Sequence, residues 1–348
     1  MSRDVRYMAL ALQVTCHAVN RCAEIAAARS RMMDSIARIQ DQIIASKRFI
    51  GPDVRLVVLP EYFLTGFPMG EGPALWAQKA ALAMDGPEYA ALGQAARAAD
   101  CFIAGNAYEQ DPHFPGLYFQ TSFVVAPQGA VILRYRRLIS MFAPSPYDVW
   151  DRYLSVYGKD AVFPVVETEI GRLAAIASEE ILYPEIARAH ALRGAEIFVH
   201  SSSEVASPLA TPKNVAKQAR AIENLAYVVS ANSAGVADVS IPVASTDASS
   251  KIIDHRGQIL AEAGYGESMA AFAPIDLGAL RAWRRRPGMG NMISRLPLAL
   301  FADAYAGQEA QLRNGLLNPD GSPSAPDPAF YRERQLRVIE RLDQSGVI

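Results

Sequence analysis

The sequence predicts an α/β protein in which two β-sheets pack face to face and helices cover their outer faces. Short apolar runs alternate with amphipathic helical patterns through the first third of the chain. Later apolar runs come in pairs joined by turn residues, which is typical of hairpins. The chain has 348 residues, of which 51% are hydrophobic. That is enough to bury a large core, and no linker that would separate two cores is visible.

Composition and charge exclude several classes of protein. The formal net charge is -2, so no extended basic surface for nucleic acid is expected, and the dense basic segment 281–286 is interpreted as a solvated helix end. Cys16, Cys22 and Cys101 are too few and too scattered for a disulfide framework or a zinc cluster. We expect neither a metal nor a cofactor. Because no signal-type or membrane-spanning stretch is visible, the expected location is the cytoplasm.

Strand and helix signals alternate at the start of the chain. Strands are predicted over 6–14, 54–59 and 101–108, helices over 20–50 and 86–100, and a loop over 66–72. The segment 54–59 is a compact apolar run that Pro60 ends, as in a buried strand. It is followed by Glu61, so the strand delivers this carboxylate at its carboxyl end.

The middle of the chain contains a predicted hairpin, a long irregular segment and a strand–turn–helix unit. The hairpin joins 121–126 to 130–135. Residues 138–161 interleave prolines with aromatic residues, so we expect a long loop over the site. The apolar run 173–177 precedes a helix that starts near Pro184 and ends at Gly194. Ser178 lies between them, where α/β folds place reactive groups.

The last part of the chain completes the second sheet and then becomes irregular. We predict a helix over 211–224, a strand over 226–231, a hairpin of 243–253 with 259–263, and a closing strand over 269–275. Beyond Pro287 the chain is predicted to be irregular until an amphipathic helix at 330–344. We therefore expect a domain over 1–287 and a carboxyl-terminal extension over 288–348, which packs on the domain or on a dimer partner.

Three segments together resemble motifs of the nitrilase (carbon-nitrogen hydrolase) superfamily. The segment 59–66, LPEYFLTG, is similar to its catalytic glutamate motif, and 135–137, YRR, to its Tyr-Arg-Lys motif. The segment 173–185 is similar to its nucleophile motif, in which a short strand ends in cysteine. The likeness extends from about 7 to 280. It implies a four-layer αββα sandwich, a small-molecule substrate with a carbon–nitrogen bond, and a homodimer or higher even oligomer.

The chain departs from the family pattern at two of the three catalytic positions. The resemblance implies that Glu61 is the general base, that Arg137 replaces the lysine and that Ser178 replaces the cysteine. It also places the N–H of Glu179 in the oxyanion hole. A serine hydroxyl is a poor nucleophile unless a base takes its proton during attack. Arginine keeps the positive charge of lysine but cannot shuttle protons.

Further residues are expected in the pocket by analogy with the family. The expected substrate-binding residues are Tyr62, Glu179, His200 and Ser203. His200 is also a candidate base for Ser178, since histidine titrates near neutral pH. Related amidases carry an auxiliary glutamate shortly after the lysine. None is present in 138–147, and Asp148 is the nearest carboxylate.

The two replacements leave several functions open. One is hydrolysis of a small amide, carbamoyl compound or nitrile by a non-standard site of Glu61, Arg137 and Ser178. A second is a catalytically inactive pseudoenzyme that binds a small carbonyl metabolite or a protein partner. A third is a hydratase- or lyase-type step without a covalent intermediate, in which Glu61 is the base. A serine installed to trap a substrate fits less well, because such a knock-out would leave the lysine unchanged. The sequence does not identify the substrate; neither nucleic acid nor membrane is an expected partner.

Overall fold

The computed structural model describes residues 5–206, 211–308 and 310–348. The strands are β1 (Arg6–Ala11), β2 (Thr15–His17), β3 (Val54–Val58), β4 (Leu82–Ala83), β5 (Phe102–Gln110), β6 (Tyr118–Val125), β7 (Val131–Arg136), β8 (Val166–Thr168), β9 (Gly171–Ala177), β10 (Ile197–Ser202), β11 (Tyr227–Asn232), β12 (Gly235–Ala237), β13 (Lys251–Ile253), β14 (Ile259–Glu262) and β15 (Phe272–Asp276). The helices are α1 (Ile25–Ile50), α2 (Pro73–Ala80), α3 (Pro87–Ala99), α4 (Trp150–Tyr157), α5 (Pro184–Leu192), α6 (Pro212–Asn224), α7 (Leu277–Arg285), α8 (Met292–Arg295), α9 (Ala299–Ala306) and α10 (Phe330–Gln344).

Two mixed sheets form the centre of the molecule. The first has the strand order β15-β1-β3-β5-β6-β7, with β4 paired to β5, and the second has the order β14-β13-β11-β10-β9-β8. In each sheet the central strands are parallel, and antiparallel strands flank them. Parallel neighbouring strands end at the same edge of a sheet. The residues that follow β3 and β9 therefore lie at the carboxyl edge of their respective sheets, where α/β folds place functional side chains.

The hydrophobic core has the layers that the predicted architecture requires. Side chains alternate along β1, so Ala9 joins the core between the two sheets, whereas Leu10 faces the layer that contains α1 and α3. Val199 of β10 and Val229 of β11 are register partners on one face of the second sheet and belong with Ala9 to one buried core. On the other face of the second sheet, α5 contacts β9 and α6 contacts β11. The order helix, sheet, sheet, helix confirms the αββα sandwich.

Several predicted elements differ from the structure in extent or type. The predicted loop 138–161 contains α4 and short 3-10 turns. The side chain of Asp148 accepts from the Ser145 N–H at 2.8 Å, and this capping box starts the helical segment. Of the predicted strand 243–253, only Lys251–Ile253 pairs as β13. Past Pro287 the chain also forms α8 and α9.

Only part of the basic segment 281–286 is the solvated helix end that its charge suggested, because Arg285 and Arg286 are exposed but Arg281 and Arg284 are engaged by the protein. Arg281 forms an ion pair with the buried carboxylate of Glu196 at 2.7 Å. Arg284 donates to the carbonyl oxygens of Ala195 at 2.6 Å and Leu225 at 2.8 Å. These contacts fasten α7 to the second sheet, because they satisfy carbonyl groups at strand and helix ends.

The carboxyl-terminal extension contacts the sandwich in this chain. Arg334 of α10 forms an ion pair with the fully buried Asp148 and donates to the Ser140 carbonyl oxygen at 3.4 Å. Phe330 packs against the small core that contains Phe114. In the residues listed above as described, no helix is both long enough and apolar enough to cross a membrane.

Candidate active site

Three loops bring the predicted catalytic residues together. Glu61 follows β3, Arg137 follows β7 and Ser178 follows β9. Their exposed fractions are only 2%, 6% and 4%. The two sheets are also joined here, because the Glu61 N–H donates to the Ser202 carbonyl oxygen at 3.1 Å. The structure therefore brings these three side chains together from the ends of three strands.

Ser178 is poised against a carboxylate. Its Oγ donates to Glu61 Oε2 at 2.6 Å, and both groups are buried. Ser178 has φ of +47°, and Tyr62, beside Glu61, has φ of +57°. Left-handed backbone at a residue other than glycine costs about 1–3 kcal/mol and is found where surrounding structure enforces it. The turn at Ser178 thus holds its hydroxyl toward Glu61 at an energetic cost.

Arg137 is almost completely engaged by the protein. Its Nε donates to the Ile139 carbonyl oxygen at 2.7 Å, and its Nη1 donates to Gln120 Oε1 at 2.7 Å. Nη1 also lies 3.6 Å from Glu61 Oε1, and Nη2 forms an ion pair with Glu179. Burial by itself lowers the pKa of Arg137, but the Tyr62 hydroxyl and the Glu61 carboxylate outweigh it, so the net pKa is raised. Arg137 is a fixed cation.

Gln120 of β6 is a site residue that the motifs did not indicate. Its Nε2 donates to Glu61 Oε1, while its Oε1 accepts from Arg137. The amide therefore bridges the base and the cation and fixes the carboxylate. The signal in the sequence was weak, since Gln120 is one of three consecutive polar residues in β6.

Glu180 ties the arginine loop to the nucleophile turn. Its Oε2 accepts from the Tyr135 hydroxyl at 2.7 Å, and its Oε1 accepts from the N–H groups of Leu138 and Ile139 at 2.8 and 3.0 Å. Complete burial raises the pKa of Glu180 to about 7, although Arg137 opposes the shift. The neighbouring Glu179 binds Arg137 instead, so the two adjacent carboxyl groups have different roles.

Lys213 is the second residue that sequence analysis missed. Its Nζ lies 3.4 Å from Ser178 Oγ and forms an ion pair with Glu204. Lys213 follows Pro212 in the first turn of α6, where the Thr211 side chain accepts from the Asn214 N–H. The signal that could have indicated it is a lysine in a first helical turn, where the helix dipole favours acidic residues.

His200 corrects one expectation from the sequence. Its Nε2 contacts the carbonyl oxygen of Ser178 at 2.8 Å, and its Nδ1 contacts Ser230 Oγ at 2.8 Å. Because a carbonyl oxygen can only accept, Nε2 carries the proton, and Nδ1 accepts from the Ser230 hydroxyl. Burial lowers the pKa of His200 well below its ordinary value of 6.5. A neutral ring whose nitrogens are both engaged supports the turn and does not meet the Ser178 hydroxyl.

The remaining expected pocket residues have varied surroundings. Tyr62 stacks on Tyr108 with ring centroids 5.3 Å apart, and burial followed by the charge of Glu61 raises its pKa. Ser203 Oγ shares a hydrogen bond of 2.8 Å with Ser233 Oγ, one residue before Glu204. Asp148 is the carboxylate nearest to the segment where related amidases have an auxiliary glutamate. It caps the helical segment at Ser145 and forms the ion pair with Arg334.

The chemistry available at this site is acid–base and nucleophilic. Across residues 5–206, 211–308 and 310–348, no group of three His, Cys, Asp or Glu side chains is arranged to hold a metal ion. Cys16, Cys22 and Cys101 are free thiols. The Ser178 hydroxyl has two charged neighbours: the Glu61 carboxylate and the Lys213 ammonium.

Comparison with known proteins identifies the family. Residues 12–285 match the family described as "Carbon-nitrogen hydrolase". A formamidase from Pseudomonas syringae is 27% identical over 223 residues, which are 64% of this chain and 60% of the relative. A probable nitrilase from Schizosaccharomyces pombe is 24% identical over 184 residues, 53% of this chain and 63% of that protein. This chain thus spans about 60% of the length of these curated relatives.

Solved structures show the same fold. A carbon-nitrogen hydrolase from Helicobacter pylori has a TM-score of 0.65 at 20% identity and covers 86% of this chain and 99% of its own. A branch 10 member of the nitrilase superfamily from Saccharomyces cerevisiae has a TM-score of 0.63 at 20% identity and covers 80% and 93%. The family match covers most of the chain, and the folds agree. This protein belongs to the carbon-nitrogen hydrolase family of the nitrilase superfamily.

Proposed function

We propose that this chain hydrolyses the carbon–nitrogen bond of a small amide, carbamoyl compound or nitrile through an acyl intermediate on Ser178. The observation that carries the proposal is the 2.6 Å hydrogen bond from Ser178 Oγ to Glu61 Oε2. A general base must lie within hydrogen-bond reach of the proton that it abstracts, and this contact satisfies that requirement in the resting protein. The strained turn at Ser178 supports the same role.

For an amide, the reaction begins when Glu61 takes the Ser178 proton as Oγ attacks the carbonyl carbon. The electron pair of the carbonyl moves to its oxygen, which the N–H of Glu179 binds in the proposed oxyanion hole. The carbon–nitrogen bond then breaks, and the amine leaves with a proton. Water attacks the ester as a base of the site takes its proton; the products are a carboxylic acid and an amine or ammonia, and Ser178 regains its proton.

In this proposal Arg137 organises the site more than it contacts the substrate. Its contacts with Gln120, Glu179 and the Ile139 carbonyl oxygen use most of its N–H groups. Arg137 and Gln120 together hold the Glu61 carboxylate in the orientation that faces Ser178. This fixed carboxylate compensates in part for the weaker acidity of a serine hydroxyl relative to a thiol, since a positioned base lowers the barrier to deprotonation.

The names of the relatives suggest where a substrate panel starts. Several relatives are formamidases, so formamide, acetamide, simple carbamoyl compounds and small nitriles form the first set. The readouts are ammonia release and, by intact mass, an acyl adduct on Ser178. Ser178→Ala and Glu61→Gln are the matched controls, and both are expected to abolish adduct and ammonia.

Two outcomes would replace this proposal with an alternative. Turnover that survives Ser178→Ala but not Glu61→Gln indicates a non-covalent reaction with Glu61 as base. If the folded wild-type protein forms no adduct and releases no ammonia across the panel and with activated esters, the covalent hydrolase proposal is wrong. Binding of carbonyl compounds without turnover would then favour the pseudoenzyme.

A further inference from the structure

We infer that Lys213 is a catalytic residue that donates the proton to the leaving nitrogen when the carbon–nitrogen bond breaks. The family motif has its lysine at the position of Arg137, on a different loop. This inference rests on the proposed acyl chemistry at Ser178, and it names the group that completes that chemistry.

The geometry places Ser178 between a base and an acid. Glu61 Oε2 lies 2.6 Å from Ser178 Oγ, and Lys213 Nζ lies 3.4 Å from the same oxygen. In the tetrahedral intermediate the leaving nitrogen and Oγ are bonded to the same carbon. A donor within reach of Oγ is therefore also close to the leaving nitrogen. The Lys213 side chain is 13% exposed, so bulk water competes little for its protons.

Counting donors separates Lys213 from Arg137. A guanidinium has five N–H groups, and those of Arg137 face Ile139, Gln120, Glu61 and Glu179 with one left over. An ammonium has three, and within residues 5–206, 211–308 and 310–348 one of Lys213 faces Glu204 and one faces Ser178, which leaves one for the substrate. Arginine also stays protonated throughout any catalytic cycle. Lys213 is thus a cation at this site that can give up a proton and still has a donor free.

The position of Lys213 carries an electrostatic cost. It occupies the first turn of α6, where exposed N–H groups and the helix dipole disfavour a cation by roughly 0.3–1 kcal/mol. Lys217 and Lys251 lie in the same region and act electrostatically on one another. Lys213 also acts electrostatically on Lys217, so this second cation adds to the cost, which the ion pair of Lys213 with Glu204 offsets.

The proton transfers balance without any additional reactant. Glu61 takes the Ser178 proton in the first step, and Lys213 donates its proton to the nitrogen as the carbon–nitrogen bond breaks. Water then loses a proton to the neutral Lys213 as it attacks the ester, and Ser178 recovers the proton that Glu61 has held. The net change is amide plus water to acid plus amine.

The test compares two substrates that carry the same acyl group, the primary amide and the p-nitrophenyl ester. A p-nitrophenolate leaves without a proton, whereas an amide nitrogen requires one. Lys213→Met and Lys213→Arg are therefore expected to slow acylation of Ser178 by the amide by about 100-fold and to change acylation by the ester by less than about 3-fold. Lys213→Arg keeps the charge and the partner Glu204 but cannot release a proton at the pH of the assay.

Lys47→Met serves as the matched control, since Lys47, near the end of α1, donates to the carbonyl oxygens of Ala99 and Asp100 at the end of α3. It should leave both rates unchanged, and thermal unfolding should show that all variants fold. If both Lys213 variants acylate with the amide as fast as the wild type, or lose amide and ester activity equally, Lys213 is not the proton donor. If the wild type itself is silent with both substrates, the proposed function fails first.

Discussion

Lys217 offers a sharp test of how this fold treats a buried charge. Lys217 lies one helical turn after Lys213 in α6 and is only 1% exposed. Its Nζ donates to Asn214 Oδ1 at 3.1 Å. The charges that act on it are those of Lys251, Asp247, Lys213 and Glu204. Burial lowers the pKa of Lys217 from 10.5 to about 7, with Lys251 adding to the effect. We expect Lys217→Met, which keeps the apolar length, to remove this strained cation.

The pH dependence has a definite sign and size. The unfolded chain binds the Lys217 proton below pH 10.5 and the folded chain binds it only below about 7, so between these values the unfolded state holds more protons. Stability of the wild type therefore rises with pH across this window. Below pH 7 the full penalty of about 5 kcal/mol applies, and between pH 6 and pH 9 it falls by about 2–3 kcal/mol. Lys217→Met should show a stability advantage over the wild type that shrinks by this amount.

Urea unfolding at pH 6 and pH 9, followed by the fluorescence of the 3 tryptophans, measures the effect. Loss of the hydrogen bond to Asn214 costs about 1 kcal/mol at either pH and cancels in the comparison. Gln218→Met, at the next position of α6, is the control without a titrating group, and its stability difference should not change with pH. An advantage of Lys217→Met that is equal at pH 6 and pH 9 would refute the reasoning.

Two further predictions concern the supports of the site. Arg137→Lys should lower the free energy of unfolding by about 2–4 kcal/mol, because a single ammonium cannot satisfy both the Ile139 carbonyl oxygen and Gln120 Oε1; urea unfolding checks this, and an unchanged midpoint would contradict it. The pKa of Glu180 in the folded chain is about 7, above its ordinary 4.5, so the stability contributed by protonated Glu180 is lost as pH rises through 7. The free energy of unfolding of Glu180→Gln relative to that of the wild type should therefore increase by about 2–3 kcal/mol between pH 5 and pH 8. A difference that falls with pH, as expected for Lys217→Met, would contradict this sign.

The order of strands and helices was predictable because its signals are local. The apolar run before Ser178, the proline at the start of α5 and the glycine after it lie within about twenty residues, and the structure confirms β9 and α5. Glu61 was placed for the same reason, since a buried strand and a proline define its position. The loop prediction for 138–161 failed where capping by Asp148 overrides the irregular pattern.

The contacts that define the site were not predictable in the same way. Gln120 and Lys213 lie 17 and 35 residues from the side chains that they contact, Arg137 and Ser178. A polar residue in a strand and a lysine in a helix have many ordinary explanations when only their neighbours in sequence are known. Which face they share with Ser178 depends on strand order and on helix rotation, and these are properties of the whole sandwich.

The same geometry changes the meaning of the arginine substitution. When position 137 is compared alone with the family motif, arginine in place of lysine removes a group that can donate a proton. In the folded protein, the wider guanidinium fits because Gln120 reaches across to accept from it and because Glu179 and the Ile139 carbonyl oxygen satisfy its other edges. An arginine with most of its N–H groups engaged orients Glu61 well and has little left to donate to a substrate. A proton donor is then needed from another element, and Lys213, from the start of α6, reaches Ser178 from a different loop. The substitutions at 137 and 178 are therefore best understood together with Gln120 and Lys213, as one rearranged set of donors and acceptors around the serine hydroxyl.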